Sequence, residues 1–294
     1  MDGITPQLVG LQLFTGLALG AIYVLLAVGL SLIFGMLTVV NFAHGAFFMV
    51  GAYTGYALYR VLPNFWLCLV LVPLVVGAFG MLVERTLVRP LYGRGIDYPL
   101  LLTFGLAYVM IEAVRIGFGK QGMPVDGPAL LEGSANILVG QFPLYRLFVI
   151  GATALVLTGL WLFIEKTSFG LIVRAGARDP QIVRILGIDV ARVWLIVFGL
   201  GTGVAGLAGF LAAPIQGISP EMGGSVLTVA FVVTVVGGMG SLVGAVVAGI
   251  LIGIVESLAV LFVPEAAKVS MFVIMAVVLL VRPRGLFGRA ALAS

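Results

Sequence analysis

Asn41-Phe42-Ala43-His44-Gly45 is a polar interruption inside a stretch, Gly3 to Tyr59, that contains no Asp, Glu, Lys or Arg. His44 is the only histidine of the protein. A lipid-facing helix has no use for an Asn and a His three residues apart followed by Gly. Irregular polar backbone at membrane depth is tolerated only where protein buries it or where it lines a watery cavity. The pentad therefore points to a membrane protein that moves a solute, not to a simple anchor.

The surrounding composition agrees. The 294 residues are 62% hydrophobic and only 10% charged, against about 25% charged in soluble domains. Several uncharged runs exceed the roughly 18 residues that mark a membrane helix. The chain is expected to be an all-α integral membrane protein, a single transmembrane domain over residues 1–294. Its N-terminus, Met1 to Gln7, lacks the basic segment of a signal peptide, so the first apolar run is expected to stay as a membrane helix. Cys68 is the only cysteine, which excludes an internal disulfide framework. The net charge of +4 is accounted for by basic loops on one membrane side and calls for no nucleic-acid partner.

The runs divide as Leu8 to Gly35, Ala46 to Tyr59, Phe65 to Val83, Pro99 to Phe118, Leu147 to Ile164 and Val193 to Ala213. Met222 to Val255 is uncharged for 34 residues, about 51 Å as one helix at roughly 1.5 Å per residue. The hydrocarbon core is only about 30 Å thick. A break is expected at Gly237-Gly238-Met239-Gly240-Ser241. Val269 to Val281 is a last, short crossing, with Lys268 able to snorkel at its outer end. The whole is a polytopic bundle of eight to nine membrane helical elements containing broken helices.

Arginine and lysine set the orientation. Eleven of the sixteen basic residues fall in the segments Glu84–Asp97 and Glu165–Arg192 and in the tail with Arg282, Arg284 and Arg289. All three lie in the cytoplasm if the N-terminus is outside and the C-terminus inside.

The Glu165–Arg192 loop is the most structured soluble segment. Asp179 reads as an N-cap with Pro180 at the first helical position. Gly187 reads as the stop, and Asp189 as the cap of the next membrane helix. Ile182, Val183, Ile185 and Leu186 make this short helix apolar on one side, with Gln181 and Arg184 on the other. It is either an interfacial helix in the headgroups or a knob docking into a cytoplasmic partner.

Enzymatic readings are weak. The nearest string to a phosphate-binding loop, Gly117-Phe118-Gly119-Lys120-Gln121, has the wrong spacing and lacks Ser or Thr. Any ATP hydrolysis belongs to another chain. His44 and Ser241 form no protease motif, and one His and one Cys make a poor metal set. Glu112 and Arg115, three apart on one helix, are expected to pair. Glu256 is expected to reach water at the outer side. Asn41, His44 and Gly45 at one break, and Gly238, Gly240 and Ser241 at the other, either cap helices in an internal polar cluster or line a substrate path, and the two roles are compatible. A short echo between His44-Gly45-Ala46 and Val243-Gly244-Ala245 fits a paired repeat or chance among glycine-rich helices.

Gly29-Leu-Ser-Leu-Ile-Phe-Gly35, Asn41-Phe-Ala-His-Gly45 and Gly51-Ala-Tyr53 resemble the first half of branched-chain amino-acid ABC importer permeases of the LivH type. Arg174-Ala175, Asp179, Leu186-Gly187-Ile188 and Arg192-Val193 resemble the cytoplasmic coupling loop of that family. Ala205 to Gly209, Val236 to Ser241 with Gly244-Ala245, and Arg282-Pro283-x-Gly285-Leu286-Phe287-Gly288 extend the likeness along nearly the whole chain. The resemblance implies a pore shared with a second, homologous permease, two cytoplasmic ATP-binding subunits and a periplasmic or extracellular binding protein, in a bacterial cytoplasmic membrane and without a cofactor. It assigns ATPase coupling to Arg174, Asp179, Pro180, Arg184, Gly187 and Ile188. Many such permeases carry Glu where this chain has Ala46, so other amino acids, amides or urea stand beside Leu, Ile and Val as substrates. Urea permeases often have Met in place of Phe42. A rival of a different class is a stand-alone channel or ion-coupled transporter.

Overall fold

A computed structural model describes residues 5–37, 40–95 and 97–288. Met1 to Ile4 and the tail residue Arg289 lie outside the described residues. The chain forms eleven α-helices there: α1 (Pro6–Leu37), α2 (His44–Val61), α3 (Phe65–Val83), α4 (Asp97–Phe118), α5 (Leu144–Lys166), α6 (Ser168–Gly176), α7 (Pro180–Ile185), α8 (Val190–Gln216), α9 (Met222–Gly237), α10 (Leu242–Phe262) and α11 (Ala267–Val281). Two strands, β1 (Ser134–Ile137) and β2 (Gly140–Pro143), complete the order between α4 and α5. Nine helices of fifteen residues or more build the membrane bundle, and seven spans are long and apolar enough to cross a bilayer.

The two long helices α1 and α8 form the centre. Their most apolar stretches are 83% buried, against 17% for α4 and α5. Lipid tails offer no hydrophobic drive for helices to associate, so close backbone approach through small residues holds such bundles. Gly16-x-x-x-Gly20 on α1 faces Gly249-x-x-x-Gly253 on α10, and a Cβ on Gly253 would stand 2.4 Å from the Gly20 nitrogen. Glycines of α8 receive three other helices. Gly201 meets the Gly29 carbonyl of α1, Gly209 the Phe48 carbonyl of α2, and Gly199 the Gly77 carbonyl of α3.

Three features differ from the sequence reading. The third crossing does not stop at Val83. It continues through a wider-wound turn, Glu84–Val88, and a 3-10 turn, Arg89–Leu91. Glu84 ends no helix because Arg89, five residues on, neutralises it. The loop between α4 and α5 contains an antiparallel hairpin that pairs Ser134 with Pro143 and Ile137 with Gly140. Val139 of its turn packs against Gly10 of α1. The Glu165–Arg192 loop holds two helices, not one. α6 is capped by Thr167, whose hydroxyl accepts from the Gly170 amide at 3.1 Å.

Candidate functional site

The first break lies deep in the bundle. Asn41, Ala43 and His44 are at most 1% exposed. The Asn41 side-chain oxygen accepts from the Ala43 amide at 3.1 Å, and its carbonyl accepts from the His44 amide at 3.1 Å. The Phe42 amide donates to the Thr103 hydroxyl of α4 at 3.1 Å. His44 Nε2 lies 3.0 Å from the Leu26 carbonyl of α1, and a carbonyl can only accept, so Nε2 carries the proton. Among the described residues, His44 Nδ1 and Asn41 Nδ2 have no hydrogen-bond partner. Gly29 leaves room for the imidazole, because a Cβ there would stand 3.3 Å from the ring. Gly45 seats the start of α2 on the start of α9, where its Cβ would fall 2.0 Å from the Gly223 carbonyl.

The second break separates α9 from α10 as expected. Gly238 and Gly240 take φ of +100° and +80°. Ser241 caps α10, its hydroxyl accepting from the Gly244 amide at 3.1 Å. The end of α9 is closed by the C-terminal turn. Leu286 and Phe287 donate their amides to the Val236 and Gly237 carbonyls at 2.8 and 3.0 Å. These terminal carbonyls have no partner within their own helix, so a distant segment satisfies them. The sequence reading assigned the tail motif no such role. It also missed Thr103, a lone apolar-run threonine with no sequence signal.

Unlike the first break, the second is not wholly interior: Gly238 is buried, whereas Met239 and Gly240 are exposed. Gly240 packs on Gly35 near the end of α1. Beside both breaks a small crevice is lined by Leu30, Phe34, Val40, Phe231, Thr234 and Met239. Its wall is apolar, apart from the Thr234 hydroxyl. Phe42 lies next to it, between Phe104 and Phe231 at ring distances of 6.3 and 6.4 Å. None of Asn41, His44, Gly45, Gly238, Gly240 or Ser241 lines this crevice. The structure thus holds Asn41, His44 and Gly45 together as one buried cluster, with the other three at a separate turn.

The Glu165–Arg192 loop follows its sequence signals. Asp179 accepts from the Gln181 and Ile182 amides at 2.8 and 3.1 Å, and Pro180 opens α7. Gly187 has φ +79°. Asp189 caps α8 through the Ala191 and Arg192 amides. Val183 faces inward at 2% exposure, whereas Ile182, Ile185 and Leu186 are 57, 84 and 72% exposed. Arg174 does not reach this surface. It binds Glu165 and the Ile164 carbonyl, tying α6 back to α5. Arg115 pairs with Glu112 and also with Glu221, 2.9 Å away. That hydrogen bond holds the Glu221 carboxyl below its ordinary range.

Residues 12–282 match the family model for the permease component of branched-chain amino acid transport systems. The chain belongs to this permease family. It is 32% identical to the high-affinity branched-chain amino acid transport system permease protein BraD of Pseudomonas aeruginosa, over 95% of each chain. It is 30% identical to the corresponding protein LivH of Escherichia coli K12, again over 95% of each. Similarity to LivM of Salmonella typhimurium is 30% over 90% of this permease and 67% of LivM.

Proposed function

We propose that this permease forms the translocation pore of an ATP-driven importer for hydrophobic, branched-chain amino acids. A second, homologous permease completes the pore. Two ATP-binding subunits work at the cytoplasmic side, and a binding protein delivers substrate at the outer side. The N-terminus is then outside and the C-terminus inside a bacterial cytoplasmic membrane, which sets α6, α7 and the C-terminal turn beside the ATPases.

The observation that carries this reading is α7. A six-residue helix capped at both ends has no need to show three large aliphatic side chains unless another surface covers them. With Arg184 and Asp179 at its rim, it is the docking knob. The path is lined by small and apolar residues of the runs Gly35 to Phe48 and Val229 to Gly244. They offer no strong grip on the amino and carboxyl charges, and a conducting path works best when each site is weak enough to leave. His44 and Asn41 shape this path from behind, by fixing where α2 begins.

Gly187→Val tests the knob. A Cβ at Gly187 meets nothing within 4 Å, so the substitution acts through backbone conformation alone. Substrate-stimulated ATP hydrolysis by the reconstituted importer is expected to fall severalfold while the binding protein still docks. Unchanged coupling in the intact assembly rules the reading out. Transport by this chain without any ATP-binding subunit indicates a channel or ion-coupled transporter instead.

A further inference from the structure

A continuous line of contacts runs from α7 into the membrane. Arg184 of α7 places its guanidinium carbon 5.8 Å from the ring centre of Trp194 on α8. Trp194 meets Tyr92 edge-on, with ring centres 4.9 Å apart at 85°. The Tyr92 hydroxyl donates to Glu84 Oε1 at 3.0 Å. Glu84 is 0% exposed. Arg89 grips the same carboxylate with two donors, at 3.2 and 2.9 Å, and also donates to the Ala191 carbonyl of α8 at 3.1 Å.

A buried carboxylate is costly unless fully paired. As a stability device this cluster is poor, since an apolar residue at position 84 would serve as well. Its three bonds instead hold Arg89 and Tyr92 in place at the end of α3, and Arg89 carries the link to α8 through the Ala191 carbonyl. The backbone is wound wider here, over Glu84–Val88, a form that often marks functional sites. Above the cluster α3 and α8 are packed tightly: a Cβ on Gly80 would stand 2.0 Å from the Thr202 hydroxyl. Gly201 of α8 then sits on Gly29, the residue that makes room for His44.

We propose that Glu84, Arg89, Tyr92 and Trp194 form a rigid strut by which movement of the docked knob is delivered to the α3–α8 pair, and from there to the His44 break. Arg184 is its input and the Ala191 carbonyl its attachment to α8. The proposal rests on ATPase docking at α7. These are positioning residues, and none touches substrate.

The test is the number of ATP molecules hydrolysed per substrate imported by the full complex in proteoliposomes. Tyr92→Phe removes only the hydroxyl–carboxylate bond, and Trp194→Ala removes the ring that links α7 to Tyr92. Both are expected to leave the subunits assembled, and to raise the ratio about threefold for Tyr92→Phe and tenfold for Trp194→Ala. Trp194→Phe, which keeps an aromatic edge, should restore most of the coupling. An unchanged ratio in assembled Trp194→Ala overturns the strut. Loss of assembly in Trp194→Ala moves the decision to Tyr92→Phe, whose unchanged ratio likewise overturns it. Ile185→Asp is the separate check on docking: it should release the ATPases altogether. If it does not, the docking reading fails, whatever the strut variants do.

Discussion

The two breaks solve one problem in opposite ways. Both interrupt an apolar run and both begin a new helix. The break before α2 is held by side chains, through His44 on Leu26, Asn41 on Ala43 and Thr103 on Phe42. The break before α10 is held by backbone, through two glycines at positive φ and two amides of the C-terminal turn. The first is enclosed, whereas the second has exposed residues and a near-terminal segment leaning on it. A break buried among helices is a fixed reference point. A break with exposed residues, closed by a separate turn, has more room to rearrange.

The largest expected effect separates the two by their glycines. Gly45→Leu forces α2 from α9 against helical backbone on both sides and should destabilise by on the order of 3 kcal/mol. Gly238→Ala collides only with the turn at Phe287–Gly288, 2.4 Å from the Gly288 nitrogen. That turn can swing aside, leaving a backbone cost of about 2 kcal/mol. Thermal unfolding in detergent should show the larger loss for Gly45→Leu. The reverse order would mean that the second break is the rigid one.

A smaller effect concerns the histidine. His44→Ala removes the bond to Leu26 and empties the space under Gly29, for about 1–2 kcal/mol. Import should slow severalfold, with the order of preference among competing amino acids unchanged in uptake assays. A shift in preference would show that this break reads the substrate directly. The smallest effect is at Ser241→Ala, which loses one cap for about 1 kcal/mol. Import should be nearly normal. A defect deeper than that of His44→Ala would reverse the contrast between a structural and a mobile break.

Much of the candidate site was legible in advance where local chemistry acts alone. Asp179, Pro180, Gly187 and Asp189 sit where capping and glycine rules place them, because a cap needs only its own next turn. The hairpin at 134–143 escaped, since its strands are four residues each and present too few alternations to rise above a polar loop. Glu84 was misplaced as a loop residue because its partner, Arg89, is recognisable only once the helix is known to continue.

By itself the sequence determined the membrane class, the places where helices must break and the capped short helix of the Glu165–Arg192 loop. Each follows from run length against bilayer thickness or from hydrogen bonds within one turn. Only the tertiary structure decided that His44 faces α1 instead of an open crevice, that the tail closes α9 and that Arg89, held by Glu84, joins the end of α3 to α8. Those outcomes depend on pairings between residues 18, 50 and 102 positions apart, which no local rule of spacing can specify.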